Sequence, residues 1–249
     1  MKEIKTYIKF LDLSDVTNII KNFTPPILWS YLKNIKYKRL NKLTKKIESY
    51  IDYNNGYFVE LGANDGISFS NTFYFEKFKE WKGVLVEPIP HKYLQCLKNR
   101  SKKSKVFCNA CVSFDYNKKF VEITYNNLMS TLIGIETDIK DLDKHYKSAK
   151  QFLEQHEETF NFGAIAKPLN HILLKANAPN KIDLLSLDVE GAEIEILKGI
   201  NHKEYRFKYI CIESRDIKKT INYLSKNNYS YVDQLTALDY LFKDKELKQ

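Results

Sequence analysis

The segment FVELGANDG, residues 58–66, constrains this chain more than any other feature of its sequence. An apolar run there ends in a short polar turn that contains Gly62 and Gly66. Glycine lets the backbone turn sharply and approach another molecule closely. In a doubly wound α/β sheet such a turn follows the first strand, at the edge where ligands bind. The segment therefore predicts a buried strand beginning near Tyr57, with a ligand crevice at its carboxyl end.

After Tyr57, short apolar runs alternate with amphipathic segments. The runs predicted as the main strands are YFVEL, GVLVEP, KVFCNACVS, KIDLLSLDVEG and YRFKYICIESRD. Segments with helical periodicity lie between them, namely SNTFYFEKFKEW, HKYLQCLKNR, KPLNHILLKANAP and AEIEILKGI. This order predicts a doubly wound parallel sheet with helices on both faces. KKFVEITYN adds a β segment that pairs nearby, and the final runs YSYVDQL and ALDYLFK are predicted to close a mixed sheet with an antiparallel last strand.

Polar residues follow the next two predicted strands. Glu87 and Pro88 end the second strand, where a carboxylate can accept hydrogen bonds from both ribose hydroxyls of an adenosine. Asn109 and Ala110 end the third, where an amide can meet the adenine edge. The predicted cofactor-binding residues of the turn itself are Glu60, Gly62, Ala63, Asn64, Asp65 and Gly66. Together they form a set suited to an adenosine cofactor.

The turn chemistry favours S-adenosylmethionine over a dinucleotide. A dinucleotide fingerprint requires G-x-G-x-x-G, but Asn64 replaces the middle glycine and Ile67 the third. Glu60 places a carboxylate just before the turn, where it would repel a pyrophosphate and attract the cationic amino group of a methionine moiety.

The end of the fourth predicted strand carries the candidate catalytic residues. Asp188 and Glu190 follow the LLSL run, and Glu213 ends the next strand. A carboxylate in a low-dielectric crevice has a raised pKa and suits a general base, and Asp188 is predicted to contact the cofactor as well. Asp188 and Glu213 together also suit Mg²⁺, which leaves metal dependence open. Glu190 has an alternative role next to a helix dipole, and His171 is interpreted as a packed or surface histidine.

These strings resemble the FkbM family of methyltransferases. The resemblance covers VELGANDGISFSNT, VLVEP, the Asn-Ala strand end, LLSLDVEGAEIEILKG and CIESRD, over residues 57–215. It implies a class I methyltransferase fold of the Rossmann-like type, S-adenosylmethionine as cofactor, and O-methylation, commonly of sugar hydroxyls in glycans or natural products. By this resemblance Glu60, Gly62, Asn64 and Gly66 line the methionine part, Glu87 the ribose, Asn109 the adenine, and Asp188 lies beside the methyl group.

The remaining sequence predicts two additions to this domain. Residues 1–55 form an N-terminal helical extension, with apolar residues at helical spacing and a basic opposite face. That face is either solvated or contacts an anionic surface. Residues 56–249 form the methyltransferase domain, in which a polar stretch at about 126–158 is either an inserted cap or a surface loop.

Composition limits the remaining possibilities. The sequence has no apolar run of the roughly 20 residues that a membrane span needs, its start is too charged for a secretory signal, and a cytoplasmic location is expected. Its four cysteines are sparse, so Cys108 and Cys111 are interpreted as buried strand residues rather than metal ligands.

The net charge of +9 leaves a nucleic-acid methyltransferase as an alternative, although no N/D-P-P-Y/F motif follows the fourth strand and no nucleic acid is expected. A non-catalytic binding protein of the same fold is the other alternative.

Overall fold

The structure is a computed structural model, and it describes residues 42–247. Most of the predicted N-terminal extension, including most of its basic face, lies outside the described residues. The strands are β1 Tyr57–Leu61, β2 Lys82–Val86, β3 Lys105–Phe107, β4 Ala110–Val112, β5 Phe120–Tyr125, β6 Thr131–Ile133, β7 Phe160–Pro168, β8 Lys181–Leu187, β9 Arg206–Glu213, β10 Tyr229–Gln234 and β11 Asp239–Asp244. The α-helices are α1 Lys42–Glu48, α2 Phe73–Phe78, α3 Pro90–Asn99, α4 Leu142–Ala149, α5 Leu169–Ala176, α6 Glu193–Leu197 and α7 Ile217–Lys226.

Seven strands form the main sheet in the order β10-β11-β9-β8-β1-β2-β3. The five strands from β9 to β3 pair in parallel. β11 pairs antiparallel with β9, and β10 pairs antiparallel with β11. This confirms the predicted doubly wound mixed sheet with an antiparallel last strand. The chain reverses its strand order between β1 and β8, so a ligand crevice is expected at their carboxyl ends.

A second sheet, in the order β4-β7-β5-β6, was not predicted. The sequence predicted one strand over residues 105–113, and that prediction is wrong, because the chain leaves the main sheet after Phe107. β4 then pairs in parallel with the end of β7, with Ala110 opposite Ala166. The predicted β segment KKFVEITYN becomes β5, which pairs with β6 and β7. Part of the stretch at 126–158 therefore belongs to this sheet, as β6, and the rest includes α4.

The main sheet is buried on both faces, as a parallel sheet requires. Alternate residues of β1 point to opposite sides: Val59 packs in one apolar cluster with Leu185, whereas Phe58 packs in another with Leu184. Ile47 of α1 is fully buried in the second cluster. Within the described residues, no helix combines the length and apolar character that a membrane span requires.

His202 lies in the connection from α6 to β9 and is a buried histidine of the core. Its ring meets the edges of Tyr223 and Tyr229 at centroid distances of 6.0 and 5.7 Å. Burial, and after it the nearby Arg206 guanidinium, lowers the pKa of His202 from 6.5 to about 4. The folded state therefore favours the neutral imidazole.

We predict that this histidine destabilises the fold at mildly acidic pH. The unfolded chain binds a proton near pH 6.5 and the folded chain only near pH 4, so stability present above pH 6.5 is lost as the pH falls toward 4. Between pH 7 and pH 5 the loss attributable to His202 is about 2 kcal/mol. Urea unfolding of His202→Phe should show a correspondingly weaker pH dependence, whereas the exposed His171→Gln should behave like the wild type. Equal pH dependence in all three proteins would contradict the prediction.

Candidate active site

A cavity of about 400 Å³ opens at the carboxyl ends of β1, β2, β8 and β9. This volume lies within the range of small-molecule sites. The predicted site residues in its wall are Glu60, Gly62, Asn64, Glu87, Pro88, Asn109, Ala110, Asp188, Glu190 and Glu213. The fold thus brings residues from four strand ends to one cavity. The other predicted residues, Ala63, Asp65 and Gly66, are not part of the wall.

Gly62 packs the turn against the end of β8. Its φ is +75°, and a Cβ atom at this position would come within 1.9 Å of the main-chain oxygen of Asp188. L side chains are strained at such φ values, and a carbonyl oxygen held at a strand end cannot move aside, so only glycine fits. The contact places the turn directly beside Asp188, the predicted general base.

Three predicted turn residues, Ala63, Asp65 and Gly66, shape the turn but do not line the cavity. Ala63 is buried in an apolar cluster of the core. The Asp65 carboxylate accepts hydrogen bonds from the main-chain N–H and the hydroxyl of Ser68, at 2.7 and 2.8 Å. Gly66 has a φ of +80°, and a Cβ atom there would lie 2.9 Å from the Arg100 side chain. These residues act in turn geometry and in packing.

The Glu60 carboxylate is buried and already has a counterion. Arg100 donates to it at 3.2 Å, and the hydroxyls of Ser70 and Thr72 donate at 2.8 and 2.7 Å. The main-chain N–H of Asn71 donates at 2.8 Å. Burial of a carboxylate is tolerated when it is paired and hydrogen-bonded in this way. These partners give Glu60 a structural role in the cavity wall, so we expect it to stay paired with Arg100 rather than to bind the cationic amino group of a ligand.

Arg100, which the sequence analysis did not identify, links Glu60 in the cavity wall to the turn at Gly66 and to Glu76 of α2. It lies one residue beyond α3, and its side chain is fully buried. Besides Glu60, it donates to Glu76 at 2.9 Å and to the carbonyl oxygen of Gly66 at 3.2 Å. Its guanidinium lies 5.1 Å from the centroid of the Phe58 ring. Only its contacts with distant residues reveal the role, so the helical pattern around it gave no signal.

Glu87 lies at the end of β2 with its side chain buried. One carboxylate oxygen accepts from the main-chain N–H of Asn64 at 2.7 Å, and the other accepts from that of Ile89 at 2.9 Å. Burial raises the pKa of Glu87 to about 7, although both hydrogen bonds lower it. Each oxygen keeps a further lone pair, so the carboxylate can also accept from two ribose hydroxyls.

Asn109 lies in the link between β3 and β4, and Ala110 is the first residue of β4. The Asn109 amide donates to the carbonyl oxygen of Ile165 in β7 at 3.2 Å, which ties this corner of the cavity to the second sheet. Ala110 is buried. The predicted adenine corner is thus built where the chain passes from one sheet to the other.

Three carboxylates form a cluster in the wall. One oxygen from each of Asp188, Glu190 and Glu213 lies within 4.8 Å of the others. Burial, together with the neighbouring Glu190 carboxylate, raises the pKa of Glu213 to about 7, and the Arg215 guanidinium opposes this rise. Burial also raises the pKa of Asp188 well above its ordinary value, and Glu213 adds to the effect. Asp188 is at the same time exposed, so water reaches it although protein surrounds it.

Arg215 is the functional residue of this cluster that the sequence analysis missed. It donates to Glu190 at 2.8 Å and to Glu213 at 3.1 Å. Its place after β9, in the CIESRD string, was the available signal. Carboxylate oxygens suit Mg²⁺ by ligand chemistry, yet two of the three groups already bind this guanidinium.

Aromatic and polar residues outside the predicted set complete the wall. Phe69 is 76% exposed and Phe152 37% exposed. Phe69 has a φ of +61°, which is unusual for a bulky residue, and strained residues of this kind cluster at functional sites. Asn127 and Ser130 come from the stretch at 126–158, as does Phe152. This polar stretch gave no sequence pattern from which its contact with the cavity was predictable.

His171 and Cys111 lie as interpreted from the sequence, whereas Cys108 lies in the link between β3 and β4 and is not a buried strand residue. His171 is exposed on α5, where its ring meets the edge of Phe114. Cys111 is buried in β4, and Cys108 is half-buried beside the main-chain oxygen of Pro88. Both cysteines are free thiols.

A comparison with protein families identifies the group to which this chain is related. The model described as "Methyltransferase FkbM domain" matches residues 60–242, which is most of the chain. The chain belongs to the FkbM methyltransferase family. It is therefore an S-adenosylmethionine-dependent methyltransferase, as the resemblance of the turn and of DVEGAE implied. A search of the curated proteins found no match.

Solved methyltransferase structures are similar only at a low level. M. capricolum TrmK in complex with S-adenosylhomocysteine is 11% identical, with a TM-score of 0.40 over 85% of this chain and 71% of that one. A putative RNA methyltransferase from Pyrococcus horikoshii is 10% identical, with a TM-score of 0.41 over 83% and 82%. At these scores the similarities do not bear on the acceptor.

The cavity of this FkbM methyltransferase fits S-adenosylmethionine. Gly62 and Asn64 lie in the wall where a methionine part would approach the backbone. Glu87 lines the cavity where ribose hydroxyls are expected, and Asn109 lies at the corner expected for adenine. Asp188 borders the same cavity next to Gly62. The donor and acceptor set therefore has the composition and the order along the sheet edge that the cofactor requires.

We predict that Gly62→Ala weakens binding of S-adenosylhomocysteine by at least about ten-fold, or about 1.4 kcal/mol. The added Cβ must displace Asp188 and with it the turn. Gly134→Ala is a matched control, because Gly134 has the same φ of +75° and no atom within 4 Å of a Cβ. Calorimetric titration should show nearly wild-type affinity for the control. Equal affinity of Gly62→Ala and the wild type would rule out the proposed packing.

We also predict that cofactor-product affinity depends on the ionisation of Glu87. The pKa of its carboxyl is raised to about 7, and ribose hydroxyls bind the ionised form, so binding weakens as the pH falls below 7. Kd for S-adenosylhomocysteine should rise about ten-fold from pH 8 to pH 6. In Glu87→Gln this change should disappear, and affinity should be low throughout. S-adenosylhomocysteine has a neutral sulfide in place of the sulfonium, which limits direct effects of the carboxylates near the sulfur. A pH-independent wild type would refute the role of Glu87.

Proposed function

We propose that this protein transfers a methyl group to a hydroxyl oxygen of a sugar or glycan-type acceptor. The supporting observation is that the Asp188 carboxylate lacks a partner in the described wall of the cavity. Among the described residues no hydrogen bond or ion pair to its carboxylate is found, whereas Glu190 and Glu213 are both paired with Arg215. A carboxylate without a counterion, in a wall where its pKa is raised, is suited to accept a proton.

The chain's own residues supply the requirements of hydroxyl methylation. S-adenosylmethionine, when bound, supplies a methyl group on a positively charged sulfur. Asp188 accepts the proton of the acceptor hydroxyl, and its raised pKa increases its strength as a base. Glu213, next to it, holds the hydroxyl in place or shares the proton. The turn at Gly62 fixes these groups beside the cofactor, and such positioning is a large part of the rate of a displacement reaction.

The charges in the wall favour a neutral acceptor. Among the described residues, the charged side chains that line the cavity are the carboxylates Glu60, Glu87, Asp188, Glu190 and Glu213 and one cation, Arg215. Binding of nucleic acid depends on cations that neutralise phosphates, and this wall is mostly acidic. The proposal therefore assigns the acceptor to neutral glycans rather than to RNA or DNA, despite the net charge of +9.

The rim of the cavity suits a sugar ring. Phe69 and Phe152 offer exposed aromatic faces, against which the apolar C–H face of a sugar packs. Asn127 and Ser130 offer hydrogen-bonding groups for the remaining hydroxyls. We propose that the stretch at 126–158, which contributes three of these four residues, supplies acceptor contacts.

We predict that Asp188→Asn reduces methyl transfer by about 100-fold or more, since general-base catalysis contributes about 10²- to 10⁴-fold. The assay follows labelled methyl from S-adenosylmethionine into the neutral glycan fraction of a cell extract. Binding of S-adenosylhomocysteine by the variant should stay within a few-fold of the wild type. Asp115→Asn, an exposed residue between β4 and β5, is the control and should be fully active.

The same assay distinguishes the alternatives. Incorporation that glycosidases release supports the proposal. Incorporation that ribonuclease releases, or full activity of Asp188→Asn, refutes it. Binding of the cofactor with no transfer to any fraction would favour the non-catalytic alternative.

A further inference from the structure

Arg215 is held through both its main chain and its side chain. Its main-chain N–H donates to the Asp138 carboxylate at 2.7 Å. Its side chain donates to Glu190 through Nη2 and to Glu213 through Nη1, at 2.8 and 3.1 Å. Nη1 also lies 3.6 Å from the second oxygen of Asp138. One guanidinium thus joins three carboxylates from separate segments of the chain.

The environment of Asp188 differs from that of its two neighbours. One oxygen from each of the three cluster residues lies within 4.8 Å of the others, but the described ion pairs of Arg215 reach Glu190, Glu213 and Asp138 and not Asp188. A guanidinium keeps its charge at any pH of interest, and its fork of N–H groups can pair with two carboxylates at once. The pairing therefore leaves one carboxylate of the cluster unpaired.

We propose that Arg215 is the resident cation of this cluster: it holds Glu190 and Glu213 as ion pairs and keeps Asp188 as the unpaired carboxylate toward the acceptor. It is a positioning residue, and it takes the place that a divalent metal ion would have among these oxygens. The inference rests on the proposed function for the role of Asp188. The cation role itself is independent of that function.

The geometry explains why a guanidinium, rather than a divalent metal ion, occupies this cluster. A divalent cation between these oxygens would have to remove Glu190 and Glu213 from Arg215, and it would then lie close to a fixed positive charge. Both changes oppose metal binding. Removal of the guanidinium has the opposite effect, because it leaves three adjacent carboxylates with the ligand chemistry that Mg²⁺ and Mn²⁺ prefer.

The decisive experiment measures Mn²⁺ binding by electron paramagnetic resonance in the full chain. We expect Arg215→Ala to bind Mn²⁺ at least about ten-fold more tightly than the wild type. Lys219→Ala is the matched control: it removes a nearby cation that pairs with Glu136 outside the cluster. Its Mn²⁺ affinity should equal that of the wild type. Tight Mn²⁺ binding by the wild type, or unchanged binding by Arg215→Ala, overturns the inference.

Methyl transfer into the glycan fraction provides the second readout. Arg215→Ala should lose activity mainly in kcat, with S-adenosylhomocysteine affinity within a few-fold of the wild type. Added guanidinium ion, at concentrations that do not unfold the protein, should restore part of the activity, which a merely structural defect would not allow. Chelators should leave the wild type fully active; loss of activity on chelation would contradict the proposal.

Arg215→Lys keeps the charge and serves if the alanine variant fails to fold. A single ammonium does not reproduce the fork, so partial activity and Mn²⁺ binding close to that of the wild type are expected. The inference would also be overturned if Arg215→Lys were as inactive as Arg215→Ala and bound Mn²⁺ as tightly as Arg215→Ala. Failure of the proposed function has a different result: Asp188→Asn would remain active while the Mn²⁺ measurements stood as predicted.

Discussion

The buried ion pair of Glu60 and Arg100 is the interaction on which the cavity depends. Both side chains are almost completely buried, and removal of one partner from such a pair costs about 3–5 kcal/mol because a charge is left uncompensated. Arg100 also holds the Gly66 carbonyl, and Glu60 holds the main chain at Asn71. The two ends of the segment between Gly66 and Asn71 are therefore fixed by one pair. The acid before the turn is a part of the scaffold.

This fixed turn determines where the chemistry takes place. Because β1 and β8 are parallel neighbours, with Leu61 opposite Leu187, both chains leave the sheet side by side. Gly62 then packs directly against the Asp188 carbonyl, and β9 brings Glu213 to the same edge. The cofactor turn and the proposed base are adjacent as a consequence of strand order. Arg215, in the loop after β9, completes this group by pairing with Glu190 and Glu213.

The sequence predicted the features that depend on local pattern. The strands β1, β2, β8 and β9 have apolar runs, and their carboxyl-end residues Glu87, Asp188 and Glu213 follow from parallel pairing. The roles of Arg100 and Arg215 depend on partners that are distant in sequence or brought together by the fold, so no periodicity marks them. The break after Phe107 was missed because KVFCNACVS is apolar on both sides of it, and only the pairing of β4 with β7 reveals it.

A crystal structure with S-adenosylhomocysteine shows whether the Gly62 turn binds the cofactor beside Asp188. We predict that the ligand lies in the cavity between the turn and β8, with its ribose hydroxyls on Glu87 and its sulfur beside Asp188. Glu60 should remain paired with Arg100 and should not bind the amino group of the ligand. A ligand bound elsewhere, or a Glu60 carboxylate that has left Arg100 to bind the ligand, would contradict the account.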